Sequence, residues 1–555
     1  MSDLSGLPPT WDLVEIEECL LPYENGKKIR QGWSPQCERF PAKTNEHWGV
    51  LKTSAIQDGA FVDIENKHLP EKLEPREHLE VLPGDILMTC AGPRARCGVT
   101  CLVKSTRPKL LISGKMYQLR CDNSLMGNDF LEGYLREWST KKLIDKMKTG
   151  ISDSGLNLTH GRFKALNVPL PPLNEQKRIV AKIEELFSEL DAGVASLRQA
   201  RAQLGVYRQS LLKQAFEGKL TEKWRQGNPD LIEPAEQLLE RIRQERDARY
   251  QQQLTDWQTA VKEWEANGGE GKKPAKPRKL KELQPLTPVE LGRFEALPDG
   301  WVWQRLAQNS VTISDGPFGS NLKTSDYVGS GVRVIRLENI GYNEFIDSKE
   351  SFVTTEKYET IKRHTVYPHD IVFSSFINDA VRATMVPDSI SFAINKADCF
   401  CVHTFDQSLN PEYLVQVFSA RYFFKSLESL VHGVGRPRIN TTQLGEAPVP
   451  ICSLPEQKEI VRILEAQFEA IEQNEREIDA ALERSEALRQ SILKKAFSGQ
   501  LVPQDPKDEP ASVLLERIRT EREAAELERK PARSTSLGRA KKAAKKRAVK
   551  KEASV

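Results

Sequence analysis

Residues able to do chemistry are present in this 555-residue sequence, but their spacing assembles no catalytic set. Glu175 and Lys177 spell the Glu-x-Lys half of a nuclease pattern. They stand at a helix start rather than on a strand, and no Pro-Asp pair lies upstream. "NPEY" at Asn410 departs from an Asn-Pro-Pro-Tyr amino-group loop at Glu412, and no Gly-rich cofactor loop precedes it. Cys90, Cys97, Cys101 and Cys121 fit no paired C-x2-C spacing; in "GDILMTC" and "GVTCLV" they read as small apolar strand residues. The eight histidines are scattered, and no G-x-x-x-x-G-K-[ST] phosphate loop exists. The expectation is a chain that recognises rather than transforms, with no catalytic residue and no metal site.

The elements that position these residues are written twice. "PPLNEQKRIV" from Pro171 returns as "CSLPEQKEIV" from Cys452, and Glu175–Leu220 matches Glu456–Leu501 with 17 identities in 46 positions. "RQSLLKQAFEGKL" answers "RQSILKKAFSGQL", and "EPAEQLLERIRQER" answers "EPASVLLERIRTER". Ile183, Leu190, Leu197, Leu204 and Leu211 fall seven apart, with Leu186, Ala200 and Tyr207 between them, the spacing of a coiled-coil seam. The second copy keeps Leu464, Ile471, Ile478, Leu488 and Ile492 but admits Gln467, Asn474 and Ser485. Ser453, three residues before Glu456, predicts a capping box, and Gly218 and Gly499 predict C′ stops. A helix of about 43 residues is about 65 Å long and wants a partner; the simplest is the other copy, lying antiparallel.

Short β-branched runs between Gly and Pro turns fill the rest, so the predicted fold class is α+β, twice. Two globular domains are separated by two long antiparallel coiled-coil helices in a pseudo-two-fold tandem repeat. The predicted segments are a first domain at 1–170, a long helix at 171–224, and a helical insertion with a Gly/Pro/Lys linker at 225–296. A second domain follows at 297–450, a second long helix at 451–501, a further helix at 502–528 and a basic tail at 529–555. That tail holds eleven Lys or Arg; without it and Glu552 the net charge of +3 becomes −7, and it is expected to be disordered and drawn to phosphates. The nine cysteines, an odd number, argue for a reducing compartment. No apolar run reaches the ~18 residues of a membrane span, and the N-terminus lacks the features of a signal peptide, so the expectation is an intracellular protein.

Two divergent domains, each followed by a Pro-Leu-x-Glu-Gln-Lys-like entry into a long helix, resemble the specificity subunit of type I restriction-modification enzymes. "DGPFGSNLKTSDY" from Asp315, "VIRLENI" from Val334 and "PHDIVFSS" from Pro368 are similar to motifs inside that family's target-recognition domains. Cys452 and Ser453 depart from the usual prolines of the helix entry. The resemblance implies a non-catalytic, cytoplasmic, prokaryotic subunit that binds duplex DNA at a split target, one domain per half, with the helices setting the gap. It also implies two modification subunits that flip and methylate an adenine, together with motor-nuclease subunits. S-adenosylmethionine, ATP and Mg would belong to those partners, with no cofactor bound by this chain. The rival reading is a coiled-coil scaffold presenting two protein-binding domains.

On that expectation the phosphate contacts fall where charge turns basic. Positions 1–89 carry 9 basic and 16 acidic residues, whereas 90–170 carry 14 and 6. The candidates are Arg94, Arg96, Lys115, Lys141, Lys142, Lys146, Lys148, Arg162 and Lys164 in the first domain. In the second they are Lys323, Arg382, Arg436 and Arg438, the last two in "HGVGRPRINTT", where an arginine fork beside glycine suits a groove.

Overall fold

A computed structural model of the chain describes residues 6–524, apart from 272, 278, 280, 281, 406, 407, 429 and 432–436. The basic tail and Arg436 therefore lie outside the described residues. Two compact units emerge: unit 1 comprises residues up to Leu197 and those from Ala480 onward, and unit 2 comprises Arg198–Asp479. Each of the two long helices, α1 (Leu173–Phe216) and α3 (Leu454–Phe497), contributes to both units, and α2 (Ala235–Ala266) lies in unit 2.

In unit 1 the strand Asp12–Glu15 pairs antiparallel with Asn167–Leu170, Val14 opposite Val168, so the domain begins and ends side by side immediately before α1. Its four-stranded sheet runs in the order Ile29–Gln31, Met116–Leu119, Ile86–Thr89, Thr100–Leu102. Unit 2 repeats both features. Val302–Arg305 pairs antiparallel with Pro448–Ile451, and its four-stranded sheet runs Val311–Ser314, Cys399–Thr404, Ile371–Ser374, Ala383–Met385. "LPGDIL" and "YPHDIV" occupy the matching turn and strand. Asp85 accepts from the Leu82 amide at 2.8 Å, and Asp370 accepts from the Tyr367 amide at 2.8 Å. The cysteines are strand and core residues: Cys90, Cys97, Cys101 and Cys121 are buried free thiols, and burial pushes Cys90 and Cys101 up to about 12. Among the described residues no three His, Cys, Asp or Glu side chains group so as to hold a metal.

The long helices pair within each unit. In unit 2, Arg201 meets Asp479 at 3.1 Å and Arg208 meets Glu472 at 3.3 Å: seven residues forward on α1 match seven back on α3, the signature of an antiparallel pair. In unit 1, Arg489 pairs with Asp191 and stacks on Phe187. The seam is less regular than a strict heptad. Leu186 and Ala200 are half-buried, and Tyr207, though 46% exposed, meets α3 through its hydroxyl, which donates to Gln467 Oε1 at 3.3 Å, while Arg208 beside it stacks on Phe468. Leu488 does not pair; it is 51% exposed, and Ser485 and Arg489 turn inward in its place. A straight helix drifts from a seven-residue repeat, so an ideal register cannot hold along its whole length.

Each unit is closed by the end of the long helix that starts in the other. Leu493 and Phe497 of α3, with Leu514 and Ile518 of a helix over 511–524, join Ile179 and Phe130 in the core of unit 1. Leu212 and Phe216 of α1, with Leu238 and Ile242 of α2, join Ile460 and Tyr413 in the core of unit 2. The predicted stops are present: Gly218 (φ 70°) and Gly499 (φ 72°) are left-handed. A Cβ there would overlap Pro298 and Pro8 respectively, so glycine is required twice over. The Gly/Pro/Lys linker is not a free tether in its described part. It returns along α2, with the Trp257 indole donating to the Pro274 carbonyl at 3.0 Å and Lys279 reaching Asp247 at 3.5 Å.

One buried acid in unit 1 carries a pH dependence. Glu132 has an Oε1 without a hydrogen-bond partner among the described residues, and its ion-pair partner Arg136, at 3.6 Å, is shared with Asp58; burial pushes its carboxyl up to about 7 from 4.5. The folded chain therefore holds a proton that the unfolded chain has released, and stability falls as pH rises from about 4.5 through 7. Glu132→Gln is expected to stabilise unit 1 by about 2–3 kcal/mol at pH 8. Urea denaturation should show that gain vanishing near pH 4.5; a pH-independent gain would refute it.

Candidate nucleic-acid interface

The repeated Glu-Gln pair seats each helix. Gln176 Nε2 donates to the carbonyls of Leu125 (2.9 Å) and Pro171 (3.0 Å), and its Oε1 accepts from the Gly127 amide (2.9 Å). Gln457 does the same with the carbonyls of Ser408 (3.0 Å) and Cys452 (2.9 Å) and the Asn410 amide (2.8 Å). Every one of these partners is a main-chain atom. The glutamates are buried too. Glu456 takes Arg225 (2.5 Å), the Thr221 hydroxyl (2.6 Å) and the Trp301 indole (3.0 Å). Glu175 takes Gln504 at 2.5 Å; burial raises its carboxyl, and the Gln504 donor opposes that rise. The predicted capping box at Ser453 does not form: its hydroxyl is buried without a partner among the described residues, and the Glu456 carboxylate that would return the bond is taken by unit 2's closing segment. Lys177 is exposed while Glu175 is buried, so the Glu-x-Lys pair does not converge. Asn410 of "NPEY" caps the helix Pro411–Ser419 through the Tyr413 amide, and Tyr413 is core. The closing partners Trp11, Trp301, Arg225 and Gln504 escaped the sequence reading. The signal for the tryptophans was a second repeat, "LPPTW" against "LPDGW".

The basic candidates divide by what they touch. Arg94 is held by Asp145 (2.7 Å) and Asp153 (3.1 Å), and Lys148 by Asp145 (2.7 Å) and the Arg94 carbonyl (3.0 Å). Arg96 donates to the Thr53 and Ile56 carbonyls, Lys141 pairs with Asp58 at 2.7 Å, and Lys164 pairs with Glu17. Arg382 donates to the Leu337 carbonyl and the Ser374 hydroxyl. These six tie the loops of their own domains. Lys115, Lys146 and Lys323 are exposed; Lys115 and Lys146 have no ion-pair partner among the described residues, and Lys323 lies beside Asp326, which is itself paired with Lys357 at 2.9 Å. Lys142 lies over the exposed ring of Trp138, Arg162 donates to the Met147 carbonyl, and Arg438 sits 3.7 Å from Asp398. These six remain open to phosphate.

Each unit also presents a loop braced from beneath. In unit 1, Arg94 ties the loop 150–155 through the Asp153 carbonyl and carboxylate, leaving Ile151 fully exposed. In unit 2 the loop of "DGPFGSNLK" is anchored at Asp315, whose carboxylate accepts from the Gly316 (2.7 Å) and Asp398 (3.0 Å) amides. Beside it, the Phe376–Arg438 bridge and the Ile439–Ser375 main-chain bond bring the arginine-bearing segment onto the same face.

Two unlike α+β domains, each seated on a helix start by one shared device and displaying braced, cation-flanked loops, define a duplicated recognition protein. The family model for the type I restriction modification DNA specificity domain matches residues 72–196 and 321–484, just over half of the chain. This chain belongs to that family. The EcoKI specificity subunit of Escherichia coli K12 is 24% identical over 495 residues, covering 87% of this chain and 90% of the relative. The Escherichia coli EcoDI specificity subunit is 27% identical over 376 residues, 66% and 71% of the two chains. The EcoEI specificity subunit, also of Escherichia coli, is 33% identical over 195 residues, a stretch that is about a third of that relative (32%). A solved structure concerned with complex assembly and conformational transition of the type I R-M system shares the fold. Its TM-score is 0.58 at 18% identity, covering 89% of this chain and 99% of that one.

Proposed function

We propose that this chain selects the DNA address at which a type I restriction-modification complex acts, unit 1 reading one half of a split target and unit 2 the other. The observation that carries this reading is the pairing of an identical helix seat with dissimilar braced loops: the attachment is constant and the displayed surface varies. The long helices then fix the gap between half-sites, and a separation of about one turn, ~34–36 Å, would put both on one face of the duplex. Adenine methylation falls to two modification subunits, as the resemblance to the family implies, and cleavage to motor-nuclease subunits. S-adenosylmethionine, ATP and Mg are held by those partners and none by this chain. The setting is prokaryotic cytoplasm; no helix among the described residues is long and apolar enough to cross a membrane.

Mapping methylated adenines in DNA from cells carrying this chain and its modification subunits tests the reading. A single split motif is expected; methylation without one, or none, would favour a protein-binding scaffold. The open cations make a finer prediction. Lys146→Ala should weaken binding equally on target and non-target DNA and lower the slope of log K against log salt by about 0.9. Arg94→Ala, by freeing the 150–155 loop, should act on target DNA more than on non-target. Titrations at several salt concentrations separate the two patterns.

A further inference from the structure

The loop of unit 2 that follows Asp315 is built to hold one aromatic ring in solvent. Gly316 and Pro317 are buried, Leu322 is buried among Val334, Val353 and Ile394, and between these anchors Phe318 is 59% exposed. Gly316 lies so close to the Lys396 main chain that any Cβ would overlap it, which fixes the loop's entry. The Asp315 carbonyl is held by His364 Nδ1 at 2.6 Å, and its carboxylate bridges two amides, as described above. On the far side the Asn321 amide donates to the Phe318 carbonyl at 3.1 Å. The Lys323 amide donates to Asp326 at 2.6 Å, and Asp326 is itself paired with Lys357 at 2.9 Å. A surface phenylalanine on a slack loop would fold back onto apolar neighbours; this one is kept from doing so by ties on both sides.

Its surroundings define what it meets. Lys323, five residues on in the same loop, is exposed, and Arg438, 62% exposed, sits 3.7 Å from Asp398, whose amide binds the Asp315 carboxylate; both are cations suited to phosphates near a ring that has no polar atom of its own. An exposed apolar ring on a loop that also carries cations fits the space between neighbouring base pairs, where stacking replaces solvent and backbone charges are met nearby. Unit 1 differs at the corresponding loop. Gly32 makes the same close approach, to the Ile112 and Ser113 carbonyls, but the aromatic after it, Trp33, is half-buried with Arg76 over its ring at 4.5 Å.

We propose that Phe318 is a wedge that unit 2 inserts between two base pairs of its half-site, and that unit 1 has no counterpart at its matching loop. The proposal rests on the address-selecting reading above and adds to it that one half-site is deformed by the reader itself. Because the loop is already ordered, insertion costs little conformational entropy, and the half-site should favour a flexible pyrimidine–purine step at that point.

The test uses the full chain assembled with its modification subunits. The duplexes carry the mapped target with 2-aminopurine placed in turn along both half-sites. With the unaltered complex, fluorescence should rise at one step of unit 2's half-site, away from the methylated adenine. Phe318→Ala should abolish that rise, weaken target binding about ten- to a hundredfold and leave the salt slope unchanged; Phe318→Trp should retain the rise. Equal affinity and an unchanged fluorescence profile for Phe318→Ala would overturn the wedge while leaving address selection standing. So would loss of modification subunits from the Phe318→Ala complex with no change in DNA binding. Failure of the unaltered complex to bind the target would overturn both.

Discussion

Arg225→Ala is expected to destabilise unit 2 by about 3–5 kcal/mol, because it strands the buried carboxylate of Glu456. That carboxylate has three donors, and only Arg225 carries charge. Arg225 is itself nearly enclosed, stacked toward Trp301 and donating a further bond to the Gly218 carbonyl at 2.5 Å. Replacing both members, Arg225→Ala with Glu456→Gln, removes the stranded charge and should recover a large part of the loss. Urea unfolding of the four proteins in a double-mutant cycle measures the coupling, read on the transition assigned to unit 2 since two units need not unfold together. A single mutant as stable as the parent would show that Glu456 is not held by its charge partner.

The second large effect is on specificity. Exchanging residues 1–170 for the corresponding domain of another family member is expected to replace one half of the methylated motif and leave the other half intact. The graft is physically reasonable because entry and exit strands lie side by side, Asp12 opposite Leu170, so the two splice points are neighbours. Gln176, which stays with the helix, needs only main-chain atoms from the incoming domain. Lengthening both long helices by one turn should instead preserve both halves and widen the gap between them. Methylation mapping of each variant distinguishes these results, and a change in both halves after a one-domain exchange would contradict the division of labour.

The sequence made the framework legible because its constraints are local. Gly218 and Gly499 announce left-handed backbone through residue type alone, and the paired "EQK" entries and seven-residue spacing need no long-range knowledge. What it concealed depends on distant neighbours. Leu488 has the right type and the right phase to be a seam residue, but helix drift turns it outward, and Tyr207 meets α3 through its hydroxyl while Arg208 stacks on Phe468. Among the cations, Arg94 and Lys146 are indistinguishable in sequence. Only folding reveals that Asp145 and Asp153 have taken the first and left the second free. Ser453 and Glu456 spell a capping box, yet the carboxylate finds stronger donors more than 200 positions away in the chain.

That Gln176 and Gln457 hold only main-chain atoms bears on how such proteins are inherited. Because each glutamine asks nothing of the incoming head's side chains, an exchange of heads at the duplicated entry leaves the Glu456–Trp301 contact as the side-chain bond of the unit 2 seat that a new head must match.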